Sequence, residues 1–472
     1  MKRHNYIKRG ISAVLITSMV FALSACGKEQ QKVSIEPMEI EEVHAVSFDF
    51  LGGKDVMPIS GYHGPYTTEQ SFDGVSLPNY FTDEIFEAIS DCGINMMHHA
   101  YTNYQQAQES AIKMLELGEK YNVGIFVFDS QVCQAVGENA LPIQKLDERI
   151  NLYADYPAFC GVYVVDEPGT TYFQPTLIEQ REVCDYVPVF QNLKELGIVG
   201  SGNLCPIWYD YEKEPYNQYV EEYVSTCEPP YVSFDYYLFD PERSKAGYFY
   251  NMDVIRHYAE KYDIPFWLYV QAGGQWNDGG EKFESVEYFP TEGELHWNVN
   301  TALAYGTKGI EYFPVIQPYA FSWTTTEQFD FQRNGLLGVW GNKTQWWYYA
   351  QNVNKQIAAV DSVLMNSVNK GVIVSGTQAV SDTEGREFIM EGKSWRELAD
   401  VKGNAMVGCF NYKGKTALYV VNYETDYAQK VTLELQDSYN LSITQNTKVS
   451  KFNTDSLTLD MQPGEGVLVV FE

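Results

Sequence analysis

The stretch Phe159-Cys160-Gly161-Val162-Tyr163-Val164-Val165-Asp166-Glu167-Pro168 decides how the chain reads. Seven apolar or small residues lead straight into two carboxylates and then a proline, which is unsuited to a helix interior. That is the pattern of a parallel strand buried on both faces and ending at a reactive surface. Strict alternation puts Tyr163, Val165 and Glu167 on one face, the inward one if Glu167 is to reach that surface. Asp166 then turns toward the covering helices as a positioning group.

Working outward, seven further runs of the same kind appear: Val56–Ser60, Ile94–His99, Val123–Asp129, Ile198–Cys205, Tyr231–Asp235, Pro265–Gln271 and Gly309–Pro314. Amphipathic segments lie between them. Phe81–Ser90 carries Ile85, Phe86 and Ile89 on one face and stops at Gly93, and Ala107–Leu117 stops at Gly118. Ile143, Leu146, Ile150 and Tyr153 mark the next helix, and Thr291-Glu292-Gly293-Glu294 has the form of a capping box. Pro188 is expected to split the helix after the fourth strand. Tyr349, Val353, Ile357, Val360 and Leu364 form a last long stripe. Eight strands alternating with helices predict an α/β fold, a closed (β/α)8 TIM barrel over residues 47–365. No Gly-x-Gly-x-x-Gly follows any strand, so a nucleotide-binding open sheet is set aside.

From residue 366 to 472 the grammar changes to short strands at close spacing, with turns at Asn411–Gly414 and Gln462–Gly466. This predicts a small all-β sandwich of about 100 residues, read as a buttress on the barrel or as a contact for carbohydrate.

Residues 1–25 read as a leader. Lys2, Arg3, Lys8 and Arg9 precede an apolar run from Ile11 to Leu23 that is short for a membrane span. The run ends Leu23-Ser24-Ala25-Cys26-Gly27, which resembles the bacterial lipoprotein cleavage box and implies lipidation at Cys26. A flexible acidic tether over 26–46 would follow, holding the protein on the outer face of the cell membrane or the cell surface, with its lipid as the membrane contact. The formal net charge of −30 becomes four units more negative once the leader's basic residues are removed. Such a surface repels phosphate backbones and excludes nucleic acid as a partner. The cysteines other than Cys26 show no paired spacing and sit mostly among apolar residues, so no disulfide framework and no metal site is expected.

In a barrel of this kind the working groups come from the C-terminal strand ends. These carry His98 and His99, Asp129, Asp166 and Glu167, Asn203, Asp235, Gln271 and Glu311, with Tyr236 and Tyr237 following the sixth strand. Two carboxylates flanking a cleft suit glycosidic bond hydrolysis, one protonated as acid and the other acting as base or nucleophile. Glu167 is the first candidate for the acid, and Asp235 or Glu311 for its partner. His99, Asp129, Asp166, Asn203, Tyr237, Gln271 and Trp276 are candidates for holding substrate, the aromatic ones by offering flat faces to sugar rings. No cofactor is called for.

The runs Val162–Pro168, Val232–Tyr237 and Ala304–Phe313, together with Leu418–Tyr423 and Pro463–Val467, resemble a group of bacterial surface lipoproteins. These are related to the (β/α)8 glycoside hydrolase clan that includes β-galactosidases. The resemblance spans nearly all of the mature chain and implies an extracellular glycosidase acting on an oligo- or polysaccharide. In that clan the fourth strand ends Asn-Glu, with the glutamate as acid/base, and the seventh ends in a nucleophilic glutamate. Here the fourth ends Asp166-Glu167, so Glu167 takes the acid/base position. The seventh ends Val270-Gln271, and an amide cannot form a covalent intermediate. The second carboxylate is then Asp235 or Glu311, or the protein is a retired barrel that binds glycan at the cell surface without cleaving it.

Overall fold

The computed structural model describes residues 35–472 apart from 63–69, 73–74, 100–106, 130–142, 169–182, 208–212, 240–242, 274–288, 317–334 and 339. The leader, Cys26 and Trp276 lie outside the described residues.

Eight parallel strands close a barrel. They are β1 (Ile59–Gly61), β2 (Met96–His98), β3 (Gly124–Val127), β4 (Phe159–Asp166), β5 (Gly200–Leu204), β6 (Val232–Asp235), β7 (Phe266–Gln271) and β8 (Ile310–Phe313), with β8 pairing back to β1. Each apolar run of the sequence therefore became a strand, because a parallel sheet covered by helices buries both faces. The helices are α1 (Asp83–Asp91), α2 (Ala107–Tyr121), α3 (Ile143–Ala154), α4 (Val183–Glu195), α5 (Lys213–Cys227), α6 (Lys245–Lys261), α7 (Glu292–Tyr305) and α8 (Gln345–Ala358). The capping box forms: Glu294 N–H donates to Thr291 Oγ1 and Thr291 N–H to the Glu294 carboxylate.

Two helical expectations are corrected. Pro188 lies inside a continuous α4, five residues from its first described residue. Its missing N–H removes one rung of the ladder, and the helix runs on to Glu195. The last stripe is two helices, since α8 ends at Ala358 and a separate turn covers Asp361–Leu364.

The barrel interior is layered. At its N-terminal end Phe48 and Leu51 form a plug, Phe48 meeting Phe126 and Trp267 edge-on at centroid distances of 5.9 and 6.5 Å. Above it Tyr231 stacks on Trp267 at 3.9 Å and shares a 2.6 Å hydrogen bond with Ser201. Next comes a polar layer of His98, Ser233 and Glu311, and over that the carboxylates of the mouth.

The C-terminal strands are β9 (Ser367–Ser375), β10 (Leu398–Lys402), β11 (Ala405–Tyr412), β12 (Lys415–Asn422), β13 (Gln429–Gln445), β14 (Lys448–Met461) and β15 (Gly466–Phe471). They make one antiparallel sheet in the order β9-β11-β12-β15-β13-β10, with β14 on β13. The sheet folds around its own apolar core because β13 shifts register between Glu434 and Tyr439, and its two halves pair with β10 and β15 respectively. Strands β10 and β14 carry no compact apolar run, and β14 is mostly exposed, which is why the sequence pattern missed both.

The outer face of this sheet packs on α7. Every residue of α7 from Leu295 to Tyr305 is buried, one side against the barrel and the other against β11 and β12. Asn300 ties the seam, donating to Gly464 O at 2.8 Å and accepting from Tyr419 Oη at 2.7 Å. Part of the expected tether belongs to the same body. From Glu36 onward it lies on the sheet, with Met38 N–H donating to Gly414 O, Asn411 donating to Glu39 O and Lys370 paired with Glu41. Residues 36–46 are thus docked, which corrects the expectation of a free spacer reaching Val46.

Candidate active site

Strict alternation breaks at one place in β4. The register of β4 on β5 shifts between Tyr163 and Val165, so Val164 and Val165 both face the helices. A bulge of this kind inverts the alternation beyond it. Asp166 therefore points inward with Tyr163, not outward. Its Oδ1 accepts from Tyr163 Oη at 2.8 Å and from Asn203 Nδ2 at 3.4 Å, and its Oδ2 from Tyr62 Oη at 3.0 Å. Burial pushes the Asp166 carboxyl up, opposed by these three donors.

Glu167 reaches the mouth by a different device. Its φ is +44°, a left-handed conformation, and its N–H still closes the ladder on Asn203 O at 2.9 Å. A non-glycine residue in that region, ahead of a proline, stores about 1–3 kcal/mol of strain. The kink sets the Glu167 carboxyl beside that of Asp235, close enough for each to shift the other's proton affinity. Burial first, then the charges of Asp235 and Asp166, push Glu167 up to about 9. Burial also raises Asp235, to about 6, while Asn203 and Glu167 hydrogen-bond to its ionised form and hold it lower. Two carboxyls in contact cannot both ionise, so at neutral pH Glu167 carries the proton and Asp235 the charge. Asp235 Oδ2 is buried and accepts from no donor among the described residues.

Around this pair the mouth is aromatic. Tyr237 stacks on Phe313 at 5.1 Å, Tyr62 lies 6.2 Å from Phe313, and Phe128 lies 6.4 Å from Tyr163. Phe128, Asp166, Glu167, Tyr237 and Phe313 stay partly exposed above a fully buried interior. Such a surface combines a flat apolar wall with polar edges, as sugar rings require.

Glu311, a candidate for the second carboxylate, is placed one layer too deep. It is 0 % exposed, accepts from Ser233 Oγ at 2.8 Å and approaches His98 Nε2 at 2.8 Å off the line of a hydrogen bond. His99 and Asp129 face outward instead of into the mouth. The ring nitrogens of His99 meet Phe128 O at 2.8 Å and Ser110 Oγ at 2.6 Å, and burial lowers its pKa to about 4, leaving it neutral. Asp129 is paired with Arg149 and accepts from Tyr153 Oη at 2.6 Å, clamping β3 to α3. Gln271 is also a clamp: it accepts from Phe239 N–H at 2.9 Å and donates to Gly273 O at 3.1 Å, joining the loops after β6 and β7. Tyr237 and Asn203 do stand at the cluster.

Sequence reasoning missed two participants. Tyr62 continues the inward alternation of Ser60 past the end of β1, which was legible. Arg243 precedes the Ser244 cap of α6 and sits 5.4 Å from the Tyr236 ring and 5.9 Å from the Tyr237 ring. Its charge opposes the rise of both Glu167 and Asp235. Among the described residues no group of three or more His, Cys, Asp and Glu side chains is arranged to hold a metal ion.

No protein-family model matches the sequence, and no curated protein does. Solved structures do. The β-galactosidase of Bacillus circulans sp. alkalophilus superposes with a TM-score of 0.53 at 10 % identity, over 88 % of this chain and 99 % of that one. The β-galactosidase of the psychrophilic Marinomonas ef1 matches at 0.45 and 10 %, over 72 % of this chain and 66 % of that one. Eubacterium rectale Amy13B matches at 0.46 and 9 %, over 93 % and 99 %. At 10 % identity the likeness to the Bacillus protein is one of fold: the chain has the barrel architecture found there.

Proposed function

We propose that the protein is a glycoside hydrolase acting on an oligo- or polysaccharide outside the cell, tethered there by a lipid on Cys26. What carries the reading is a pair of neighbouring carboxyls, Glu167 and Asp235, both pushed up by burial at the mouth of the barrel beside an aromatic wall. The fold shared with the Bacillus β-galactosidase supports it as analogy. In this reading Glu167 gives its proton to the glycosidic oxygen as the C1–O bond breaks. The charges of Asp235 and Asp166 stabilise the positive anomeric centre, and the water that adds to C1 returns a proton to the pair.

One observation favours a second reading, glycan binding without cleavage. Gln271, a neutral amide that cannot serve as nucleophile or base, ends β7 tied to two loop backbones. The variants Glu167→Gln and Asp235→Asn separate the two on a panel of chromogenic glycosides and plant and microbial oligosaccharides. Cleavage lost with binding retained supports the hydrolase. Cleavage unchanged in Glu167→Gln, or absent from the wild type on glycans that it binds, leaves the binding reading.

A further inference from the structure

One buried amide stands between the two aspartates of the mouth. Asn203 Nδ2 lies 2.9 Å from Asp235 Oδ1 and 3.4 Å from Asp166 Oδ1. Two carboxylate acceptors on one side require the NH2 end of the amide there, so Oδ1 points back to Ser233 Oγ, 3.4 Å away. The single Ser233 proton goes to Glu311 Oε1 at 2.8 Å, and Glu311 lies 2.8 Å from His98. The whole column is sealed, Asn203 being 3 % exposed, Ser233 1 % and His98 and Glu311 0 %. Turning the amide over would set its carbonyl against two carboxylates where no water can intervene.

We propose that Asn203 is the positioning residue of the acid pair: by donating to Asp235 Oδ1 and bridging to Asp166, it fixes the orientation of the Asp235 carboxyl and so where the shared proton sits. This rests on the Glu167–Asp235 pairing of the proposed function and deepens it. Asn203 touches neither Glu167 nor the open mouth through its amide, so it acts through Asp235. The other charged and titratable groups facing the pair are Asp166 beside Glu167, Arg243 and Tyr237 at the rim, and Tyr216 and Tyr219 from α5. Beneath lie His98 and Glu311. Changing Asn203 also takes a donor from Asp166, so the Asp166 band is followed beside those of the pair.

The test reads protons directly and needs no substrate. In the mature protein the infrared C=O stretch of protonated carboxyls is followed from pH 4 to pH 10, with the bands of the pair assigned by their loss in Asp235→Asn and Glu167→Gln. In Asn203→Leu, Asp235 loses a donor to its ionised form, and its midpoint is expected to rise by about one pH unit, a tenfold change in proton affinity. A folded Asn203→Leu protein with an unmoved Asp235 midpoint overturns the proposal. If the leucine prevents folding, Asn203→Ala gives the same reading without steric conflict. A purely structural role lowers the melting temperature and leaves the midpoint alone. A moved midpoint in a protein that cleaves no glycan removes the hydrolase and keeps the positioning role. Cleavage that depends on Glu167, with an unmoved midpoint, removes the positioning role alone.

Discussion

Glu167→Gln is expected to stabilise the protein, and to do so more strongly as pH rises. The folded protein holds the Glu167 proton up to about pH 9, whereas the carboxyl's ordinary value is 4.5. Between those values unfolding releases a proton, so the wild type loses stability with rising pH at about 1.4 kcal/mol per unit. Relative to pH 4.5 the loss is about 3 kcal/mol at pH 7 and about 6 kcal/mol at pH 9. Glutamine is an isostere of the protonated acid, carries no proton to lose and still donates to Asp235. Below pH 4.5 the two proteins should melt together. For a folded unit of about 440 residues, near 1 kcal/mol corresponds to one degree at the midpoint, so the variant should melt about 3 °C higher at pH 7. Thermal melts of both proteins in matched buffers from pH 4.5 to 9 measure the difference, in which the titration of groups other than Asp235 cancels. A gap that is absent, negative or independent of pH refutes the claim that Glu167 is held protonated. The gap also measures how much stability the fold gives up to keep an acid available at neutral pH.

Three further outcomes follow from the same geometry. Cleavage that requires Glu167 protonated and Asp235 ionised should be bell-shaped in kcat/KM, with limbs near pH 6 and pH 9 that belong to the pair together; a flat profile across that window contradicts the assignment. Arg149→Ala should cost about 3–5 kcal/mol by stranding the buried Asp129 charge, and denaturant titration should show it with the midpoints of the Glu167–Asp235 pair unchanged. Gly408→Ala would place a Cβ 2.3 Å from Ala304 O at the seam between sheet and barrel, and should destabilise by about 1–3 kcal/mol in the same measurement.

Much of the fold was legible because burial writes itself into composition. A strand covered on both faces must be apolar throughout, so all eight barrel strands appeared as runs, and Thr291 with Glu294 announced α7 through local chemistry alone. Strand β14 shows the opposite case. With one edge on β13 and most side chains exposed, its sequence carries no apolar signature, and its pairing is decided by the partner.

The site divides in the same way. That carboxylates gather at the C-terminal strand ends follows from the sequence, since each ends a buried run. Which of them meet does not. His99 and Asp129 end their strands as Asp235 does, yet both turn outward to helix partners, while Glu311 turns inward and is sealed beneath the mouth. A single bulge between Tyr163 and Val165 exchanged the expected faces, and a left-handed Glu167 brought that residue back to the mouth. The sequence by itself determined the barrel, the sheet that follows it and the supply of acids, because those rest on period and burial, which are local. Only the tertiary structure decided the pairing of Glu167 with Asp235, because register, strain and proton sharing depend on groups that are distant in the chain and meet only when the barrel closes.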